Sequence, residues 1–558
     1  MRVILLTTTV ITLLIAVYLG QRAIPEETAR ALQEVVEIPE EEAVFHTPPG
    51  ATGPGTPAQL TDRQGVLIRL KTVDADSGNP IAARLNVIGP DGRYYEPDPD
   101  QNALSTYSLH RTGNRNGKGP FRYFGWFFYS PGESEIRVPS GTIQLEAWKG
   151  LEYQPIRQTL EVSTRSPALV TLRLKRVSSI RQHGYFSGDT HLHFVRDGTS
   201  GTDRLLFKLL AAEDIHAGFI LAMNAPESYS PRMTDQIWPQ TLYGNTSIRQ
   251  RGNYHMISSQ EYRANTYGHI LMLAGEQLVQ ADGLMTDPNN WPVFGLVADE
   301  LHQLGGFAFH AHGGYAKGIY GDVPQQKTDG VELLQFAEYR GIGIEGWYHI
   351  LNAGYRFPGI GASDYPYCRA LGDCRTYVRI PGELTVKKWI QGAAAGNSFF
   401  TNGPLLRFEV NRIAPGGAIA LHQASSVTAN LNIESPVVPV TDIEVIQDGR
   451  VLKHVSLSGK GPWNLTWNLP VEKPGWIAAR AYSKDSKSRP DAEAHTNPIY
   501  IQWQGKEPRN TESIMWLMKK LEERIEVVQL RNFAEKQQVL DYFHRSHKSL
   551  RHRLDSRR

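Results

Sequence analysis

An aspartate and two histidines alternate along the short stretch SGDTHLHF, as Asp189, His191 and His193. Side chains on a β-strand alternate between its two faces, so all three would point to the same side. Neutral imidazole is the commonest protein ligand for zinc and related metals, and the two histidines could therefore bind one or two divalent cations. The alternative is a strand with a polar face turned to solvent, which an isolated His-x-His motif favours.

More histidines and carboxylates follow at the ends of short apolar runs. Glu261 and His269 lie in SSQEYRANTYGHILMLAG, His310 and His312 in GGFAFHAHGG, and Asp364 in FPGIGASDYP. Amphipathic segments such as NWPVFGLVADELHQLG alternate with these runs, which favours an α/β layout with parallel strands. Because active sites of such folds lie at the carboxyl ends of strands, we expect these side chains to meet there.

The order, types and spacing of these residues are similar to those of the polymerase-and-histidinol-phosphatase (PHP) metallohydrolase superfamily. The segments GWYHILNAGYRFPGIGASD and WIQGAAAGNSFFTNGPLLRFEV resemble its carbaryl-hydrolase-like CehA/McbA branch, and the resemblance covers roughly residues 180–420. It implies a distorted PHP-type (β/α) barrel with metal ligands at successive strand ends. The ligands that it implies are His191, His193, Glu261, His269, His312 and Asp364.

The resemblance also implies a bridging role for Glu261, whose alternative is a surface ion pair with Arg263. Asp189 is either a further ligand or a supporting carboxylate that orients one imidazole. Asn224 and Pro366 stand where the superfamily usually has further ligands, so one or two metal ions are expected rather than three. Mixed histidine and carboxylate ligation suits zinc first, with manganese or iron as alternatives.

The expected chemistry follows from the metal. A bound dication lowers the pKa of its water from 15.7 to about 7 and so supplies hydroxide at neutral pH. The favoured function is therefore metal-dependent hydrolysis of an ester, carbamate or amide bond in a small-molecule substrate. Phosphoester hydrolysis, the commoner activity of the wider superfamily, is the alternative among enzymes. A non-catalytic extracytoplasmic binding protein on the same scaffold is the alternative from another class.

Several further side chains are candidates for contact with the substrate. His310 shares a strand face with the ligand two residues later and is a candidate proton shuttle, with a structural histidine as the alternative. His349 and Arg356, in WYHILNAGYRFPG, could bind an anionic or carbonyl group or could serve a helix end. Asn402, in FFTNGPLL, either lines the pocket or makes a turn. The expected catalytic residues are His310, Arg356 and Asp364.

The other segments must position this site. With 558 residues, the chain is long enough for several domains. Alternating strands predict a β-sandwich over residues 64–177, similar to the prealbumin-like regulatory sandwich, and a second one over 409–505. Residues 178–408 would form the metallohydrolase domain. The predicted fold is thus multidomain α/β plus β, a distorted (β/α) barrel flanked by two β-sandwiches.

The terminal segments predict location and partners. The uncharged run within residues 1–24 predicts a membrane anchor, or else a cleaved signal segment, and residues 25–63 read as an acidic helix and a Pro/Gly linker. The catalytic region would then be periplasmic, exposed at the cell surface or secreted. The net charge of +2 gives no reason to expect nucleic acid as a partner.

The C-terminal region and the two cysteines leave alternatives open. Residues 506–558 predict a basic helical tail with an apolar stripe, which should pack on the body of the protein or on another subunit of a homo-oligomer. The stripe consists of Ile514, Leu517, Leu521, Ile525 and Val528. Cys368 and Cys374 are close enough in sequence for a short disulfide, but two separate thiols are equally expected.

Overall fold

The computed structural model describes residues 65–97, 127–164, 169–194, 196, 200–223, 243–264, 266–279, 290–335, 338–339, 341–365, 371–458, 461–484 and 490–555. Strand accounts for 43% and helix for 25% of this part of the chain. The predicted anchor and linker, residues 1–63, lie outside it. Among the helices of the described ranges, none has both the length and the apolar character to cross a bilayer.

Seven strands form the N-terminal part of the structure. They are β1 (Val66–Asp74), β2 (Ala83–Ile88), β3 (Phe128–Ser130), β4 (Glu133–Val138), β5 (Gly141–Trp148), β6 (Ile156–Val162) and β7 (Leu169–Leu174). They make two sheets, in the orders β4–β1–β7 and β3–β2–β5–β6. The inward side chains of both sheets share one apolar core, which includes Ile68, Leu85 and Ile143. Their period-two alternation in the sequence reflects this burial on one face.

Eleven strands follow in the central region. They are β8 (Tyr185–Leu192), β9 (Ala217–Met223), β10 (Arg249–Arg251), β11 (Tyr254–Ala264), β12 (Gly268–Leu273), β13 (Phe307–His310), β14 (Gly330–Gln335), β15 (Glu338–Tyr339), β16 (Gly359–Gly361), β17 (Arg375–Arg379) and β18 (Ser398–Thr401). Parallel pairs (β8 with β9, β9 with β11, β13 with β14, and β14 with β16) are mixed with antiparallel ones. The sheet is curled.

Nine more strands form the C-terminal β region. They are β19 (Leu405–Val410), β20 (Ala418–Leu421), β21 (Ser425–Glu434), β22 (Asp442–Gln447), β23 (Arg450–Ser456), β24 (Trp463–Val471), β25 (Gly475–Lys484), β26 (Pro490–Thr496) and β27 (Ile499–Trp503). Strands β19, β21 and β24 make a separate sheet, whereas the other six continue the central sheet, which reaches 17 strands. The link between the two regions is the antiparallel pairing of β18 with β26.

Within the described ranges, seven α-helices cover or extend the sheets. They are α1 (Ser200–Glu213), α2 (Phe294–Gln303), α3 (Ile319–Asp322), α4 (Gly343–Asn352), α5 (Val386–Ala394), α6 (Thr511–Gln529) and α7 (Lys536–Asp555). Helix α6 starts at Asn510, whose side chain accepts a hydrogen bond from the backbone N–H of Ser513. The apolar stripe of α6 is buried in the same core as Trp347 of α4 and Phe543 of α7. The predicted stripe therefore packs on the body of this chain.

The predicted distorted (β/α) barrel flanked by two β-sandwiches is wrong. The chain is mostly β, and a single mixed sheet runs through both the central and the C-terminal regions. The apolar run HILMLAG, read as a parallel strand, forms β12 and runs antiparallel to both β11 and β13. Only three residues join β11 to β12, and a parallel neighbour would need a crossover of a dozen residues or more.

Candidate metal centre

The six residues implied as metal ligands come together where several strands of the curled sheet begin or end. His191 is the last residue but one of β8, and His193 lies just beyond the strand. Glu261 is near the end of β11, and His269 is at the start of β12. His312 follows β13 and Asp364 follows β16. Because β12 is antiparallel to β11, its first residues lie at the same edge as the last residues of β11. The six side chains thus come together because the sheet contains both parallel and antiparallel strand pairs.

The ends of β8 and β16 are joined directly. Leu192 forms an isolated parallel bridge with Tyr365. The backbone N–H of His193 donates to the carbonyl of Tyr365 at 2.6 Å, and the N–H of Tyr365 donates to the carbonyl of His191 at 3.2 Å. This bridge carries Asp364 to the two histidines, and its Oδ1 lies 3.3 Å from the Nε2 atoms of both.

Glu261 stands at the centre of the cluster. Its Oε2 is 3.2 Å from Nε2 of His193, and its Oε1 is 2.8 Å from Nδ1 of His269 and 3.7 Å from Nε2 of His312. Three groups with nearby donor atoms could each hold a metal ion: His191–His312–Asp364, His191–His193–Glu261 and Glu261–His269–His312. Glu261 belongs to two of them, which is the position that a bridging carboxylate requires.

Two polar residues on β14 fix the imidazole tautomers. Nδ1 of His191 lies 3.1 Å from Oε1 of Glu332, and Nδ1 of His312 lies 2.9 Å from Oε1 of Gln335. Since a carboxylate and an amide oxygen are acceptors only, each Nδ1 carries a proton, and each Nε2 is the atom that would offer a lone pair to a cation. Within the described residues, the buried Nε2 of His191 has no hydrogen-bond partner. A metal ion would satisfy it.

His269 has a different arrangement. Its Nδ1 faces the cluster, 3.0 Å from Nε2 of His312, while its Nε2 accepts a hydrogen bond from Nε of Arg263 at 3.3 Å. Burial, together with the nearby charge of Arg263, lowers the pKa of His269 to about 3 against the opposing effect of Glu261. His269 is therefore neutral. Coordination through Nδ1 would require the proton to move to Nε2 and the contact with Arg263 to open.

The carboxylates of the cluster are ionised. Burial raises the pKa of Glu261, but the charge of His191 and the hydrogen bond of His193 outweigh burial and hold it well below its usual range. Burial acts on Asp364 in the same way, and neighbouring histidines again lower its pKa. Burial lowers the pKa of His191, but Asp364 and Glu332 overcome this and raise it. Without a cation, protons on the imidazoles balance the buried carboxylates.

Two of the six residues have a backbone conformation that side chains seldom adopt. His312 has φ of 50° and Asp364 has φ of 52°. A left-handed conformation outside glycine costs on the order of 1–3 kcal/mol and persists only where the surroundings enforce it. Strain of this kind is concentrated at functional sites, and here both strained residues aim a ligand atom into the same cluster.

Asp189 supports the site through the backbone and contacts no imidazole nitrogen. It is fully buried, and its Oδ1 accepts hydrogen bonds from the N–H groups of His191 (3.2 Å) and Ser363 (3.1 Å). Its Oδ2 accepts from Oγ of Ser363 at 2.5 Å and from the N–H of Gly372 at 2.9 Å. It therefore fixes the segment that presents Asp364. The carboxylate that orients an imidazole is Glu332 instead.

His310, the candidate proton shuttle, is fully buried beneath the C-terminal helices. Its Nε2 lies 3.3 Å from Oδ2 of Asp322, and its ring packs against Phe294 with centroids 5.9 Å apart. The other oxygen of Asp322 accepts a hydrogen bond from the hydroxyl of Tyr542 at 2.7 Å. The structure thus pairs His310 with Asp322, outside the six-residue cluster.

The three candidate substrate-binding residues are not brought to the cluster. His349 stacks on Trp516 of α6 at 4.4 Å. Arg356 donates to Oε1 of Glu507 at 2.7 Å. Asn402 is buried, and its Oδ1 accepts from the backbone N–H of residue 493 at 2.6 Å, which ties the β18–β19 turn to β26. These contacts agree with the alternative roles given above, a helix-end role for His349 and Arg356 and a turn role for Asn402.

Glu332 and Gln335 are the functional residues that sequence reasoning missed. Both lie in the fully buried strand GVELLQ, where two polar side chains among apolar ones are the only signal of a buried interaction. Asn224, Pro366 and Cys368 lie outside the described residues, so the expectations attached to them stay predictions. Cys374 is buried.

Comparisons with known proteins add little. No family model matches the chain, and no curated protein matches it. A match among the solved structures is pT26-6p, with 9% sequence identity and a TM-score of 0.13. It covers 32% of this chain and 51% of that protein, about half of its length. A likeness this low carries no argument about fold or function.

Proposed function

We propose that this protein is a metal-dependent hydrolase that acts on an ester, carbamate or amide bond of a small-molecule substrate. The observation that carries the proposal is the convergence of four histidines and two carboxylates from separate strand ends into one buried cluster. Buried groups of this kind could hold a metal ion. The resemblance of the sequence motifs to PHP metallohydrolases supports hydrolysis as the reaction.

The donor set fits a divalent cation. His191 and His193 with Glu261 would hold one ion, and His312 with Glu261 would hold a second if His269 releases Arg263. Four imidazoles and two carboxylates suit zinc first, with manganese and iron as alternatives. A bound dication would supply hydroxide at neutral pH and polarise the substrate oxygen under attack.

Residues around the cluster would position the metal ligands and the attacking water. Glu332 and Gln335 keep a lone pair of His191 and of His312 directed into the site. Asp189 fixes the backbone that presents Asp364. Asp364 is ionised at neutral pH, so it would accept a hydrogen bond from the attacking water and orient it. Holding the water and the substrate in the reactive geometry would lower the entropic part of the activation barrier.

Phosphoester hydrolysis is the second candidate reaction. It is favoured by Glu261, because a carboxylate shared by two ligand groups is the arrangement of two-metal sites that clamp a phosphoryl group during in-line displacement. A binding protein without turnover is the alternative from another class.

The test begins with metal analysis of the purified full-length protein. Less than about one metal ion per chain after purification in zinc-supplemented buffer would contradict the proposal. Metal-loaded protein is then assayed on a panel of aryl esters, carbamates, amides and phosphate esters. We expect His191→Ala and Asp364→Ala to abolish hydrolysis, whereas His302→Ala, at a half-exposed histidine paired with Asp329, should retain it.

Each outcome of this panel has a meaning. Turnover of phosphates alone would replace the favoured reaction by the second one. Metal binding without turnover of any substrate class would favour the binding protein. Full activity in both His191→Ala and Asp364→Ala would reject the site assignment.

A further inference from the structure

An open cavity of about 1050 Å³ lies beside the turn that follows α4. Its wall is formed by residues 354–357 of this turn, residues 505–507 after β27, and Arg553 near the end of α7. None of the six cluster residues belongs to the wall of this cavity in the described structure. Ligand pockets commonly measure roughly 300–1,000 Å³, so the space is large enough for an organic molecule.

Two arginines in the wall lie over tyrosine rings. The guanidinium of Arg356 lies 4.7 Å from the ring centre of Tyr500, and that of Arg553 lies 4.2 Å from the ring centre of Tyr355. Arg553 also donates through Nη1 to two carbonyl groups of the turn, at 3.1 and 3.3 Å. Stacking and hydrogen bonds hold both guanidinium groups in place, so less side-chain entropy would be lost when they bind an anion.

Positive charge predominates in the wall. Its charged side chains are Arg356, Lys506, Arg509 and Arg553 against Asp329 and Glu507. Asp329 is already engaged, because its Oδ2 is 2.8 Å from Nε2 of His302 and accepts from a backbone N–H at 2.7 Å. Glu507 is shared between Arg356 and Gln502. A guanidinium has five N–H donors, more than Arg356 and Arg553 use in these contacts.

We propose that this cavity binds a small organic anion through phosphate or carboxylate groups, at a site separate from the metal cluster. Guanidinium groups recognise both kinds of group by paired, charge-assisted hydrogen bonds. Arg356 and Arg553 would supply these bonds, and Lys506 would add a mobile positive charge at the rim. Tyr355 and Phe357 also line the cavity. The inference does not depend on the proposed hydrolase function.

The test is isothermal titration calorimetry of the full-length protein with inorganic pyrophosphate and, separately, with propane-1,2,3-tricarboxylate. Both titrations are run on the protein as purified and after removal of metal with EDTA. We expect at least one probe to bind with equal affinity in both preparations. The double variant Arg356→Ala, Lys506→Ala should weaken that binding at least tenfold. Arg69→Ala, which removes an exposed cation from the N-terminal sheet, should leave it unchanged.

The results separate the cavity from the metal cluster. Both substituted side chains of the double variant are at least partly exposed, and an unchanged thermal unfolding curve would show that it folds. Should it fail to fold, Lys506→Glu alone provides the same comparison. Preference for one probe assigns phosphate or carboxylate as the recognised group. The proposal is overturned if neither probe binds, or if binding disappears with EDTA or Asp364→Ala but survives the cavity variants.

Discussion

Replacing Glu332 by glutamine should weaken metal binding by about 10- to 100-fold, although no ligand atom is removed. The carboxylate of Glu332 faces His191 and His312 at once. Its Oε1 lies 3.1 Å from Nδ1 of His191, and its Oε2 accepts from the backbone N–H of His312 at 2.8 Å. It is fully buried, so water cannot replace either contact.

The magnitude follows from the number of acceptors. Glutamine keeps the size of the side chain but has one acceptor oxygen, and its NH₂ group must then face either the imidazole N–H or the backbone N–H. A buried donor left without an acceptor costs about 1–3 kcal/mol. A 10- to 100-fold loss of affinity corresponds to about 1.4–2.7 kcal/mol. The expected loss of affinity is therefore about equal to the cost of one unpaired buried donor.

The assay is competition between the protein and a fluorescent zinc indicator of known affinity. Glu345→Gln is the control, because it makes the same chemical change at an exposed position on α4. Urea unfolding of the metal-free proteins shows whether Glu332→Gln remains folded. A wild-type zinc dissociation constant in folded Glu332→Gln would refute the assignment of Glu332 as the residue that orients His191.

Three further predictions concern pH and stability. Burial raises the pKa of Asp189 from 3.8 to about 6, so the native state holds this proton more tightly than the unfolded state. The free energy of unfolding should therefore fall by about 2 kcal/mol between pH 4 and pH 6.5, and urea titrations of Asp189→Asn should lack this component. Metal uptake should release protons and strengthen with pH, because the raised pKa of His191 makes it protonated in the metal-free cluster. Calorimetry at pH 6.5 in two buffers of different ionisation enthalpy measures this, and equal heats would contradict it. Tyr542→Phe removes a buried donor to Asp322 and should lower the free energy of unfolding by about 1–3 kcal/mol. His544→Ala, at an exposed position of the same helix, should have almost no effect.

The residues that meet at the candidate metal centre could be predicted because their signals are local. A histidine pair two residues apart, or an aspartate after a run of small apolar residues, can be read from a few neighbouring positions. Glu332 offered no such signal. Its role depends on β14 lying beside β13, so that it reaches the backbone of His312, and on the curl of the sheet that brings His191 across.

Sequence proximity was a poor guide for the candidate substrate-binding residues. His349 and Arg356 lie 15 and 8 positions before Asp364, on helix α4 and in the turn after it. The helix directs His349 towards Trp516 of α6, and the turn directs Arg356 towards Tyr500. Both contacts involve residues more than a hundred positions later in the chain, and no local pattern announces them.

The presence of strands was also easier to predict than their partners. The apolar run HILMLAG does form β12, because burial on both faces of a strand leaves that mark on the sequence. Strand direction leaves no such mark. The three-residue connection between β11 and β12 was the available evidence for a hairpin, and it outweighs the resemblance to parallel folds.

The cluster is difficult to explain as a purely structural feature of the folded chain. It buries the carboxylates of Glu261, Glu332 and Asp364 together, and burial of like charges opposes folding unless cations compensate. It also holds His312 and Asp364 in left-handed backbone conformations. In the metal-free protein this compensation comes from protons on His191, His193 and His312, whose pKa values are raised, whereas His269 stays neutral. A divalent cation held by the cluster would supply two of these positive charges without protons on the histidines that bind it. The same features that cost stability in the metal-free protein are those that favour a bound metal.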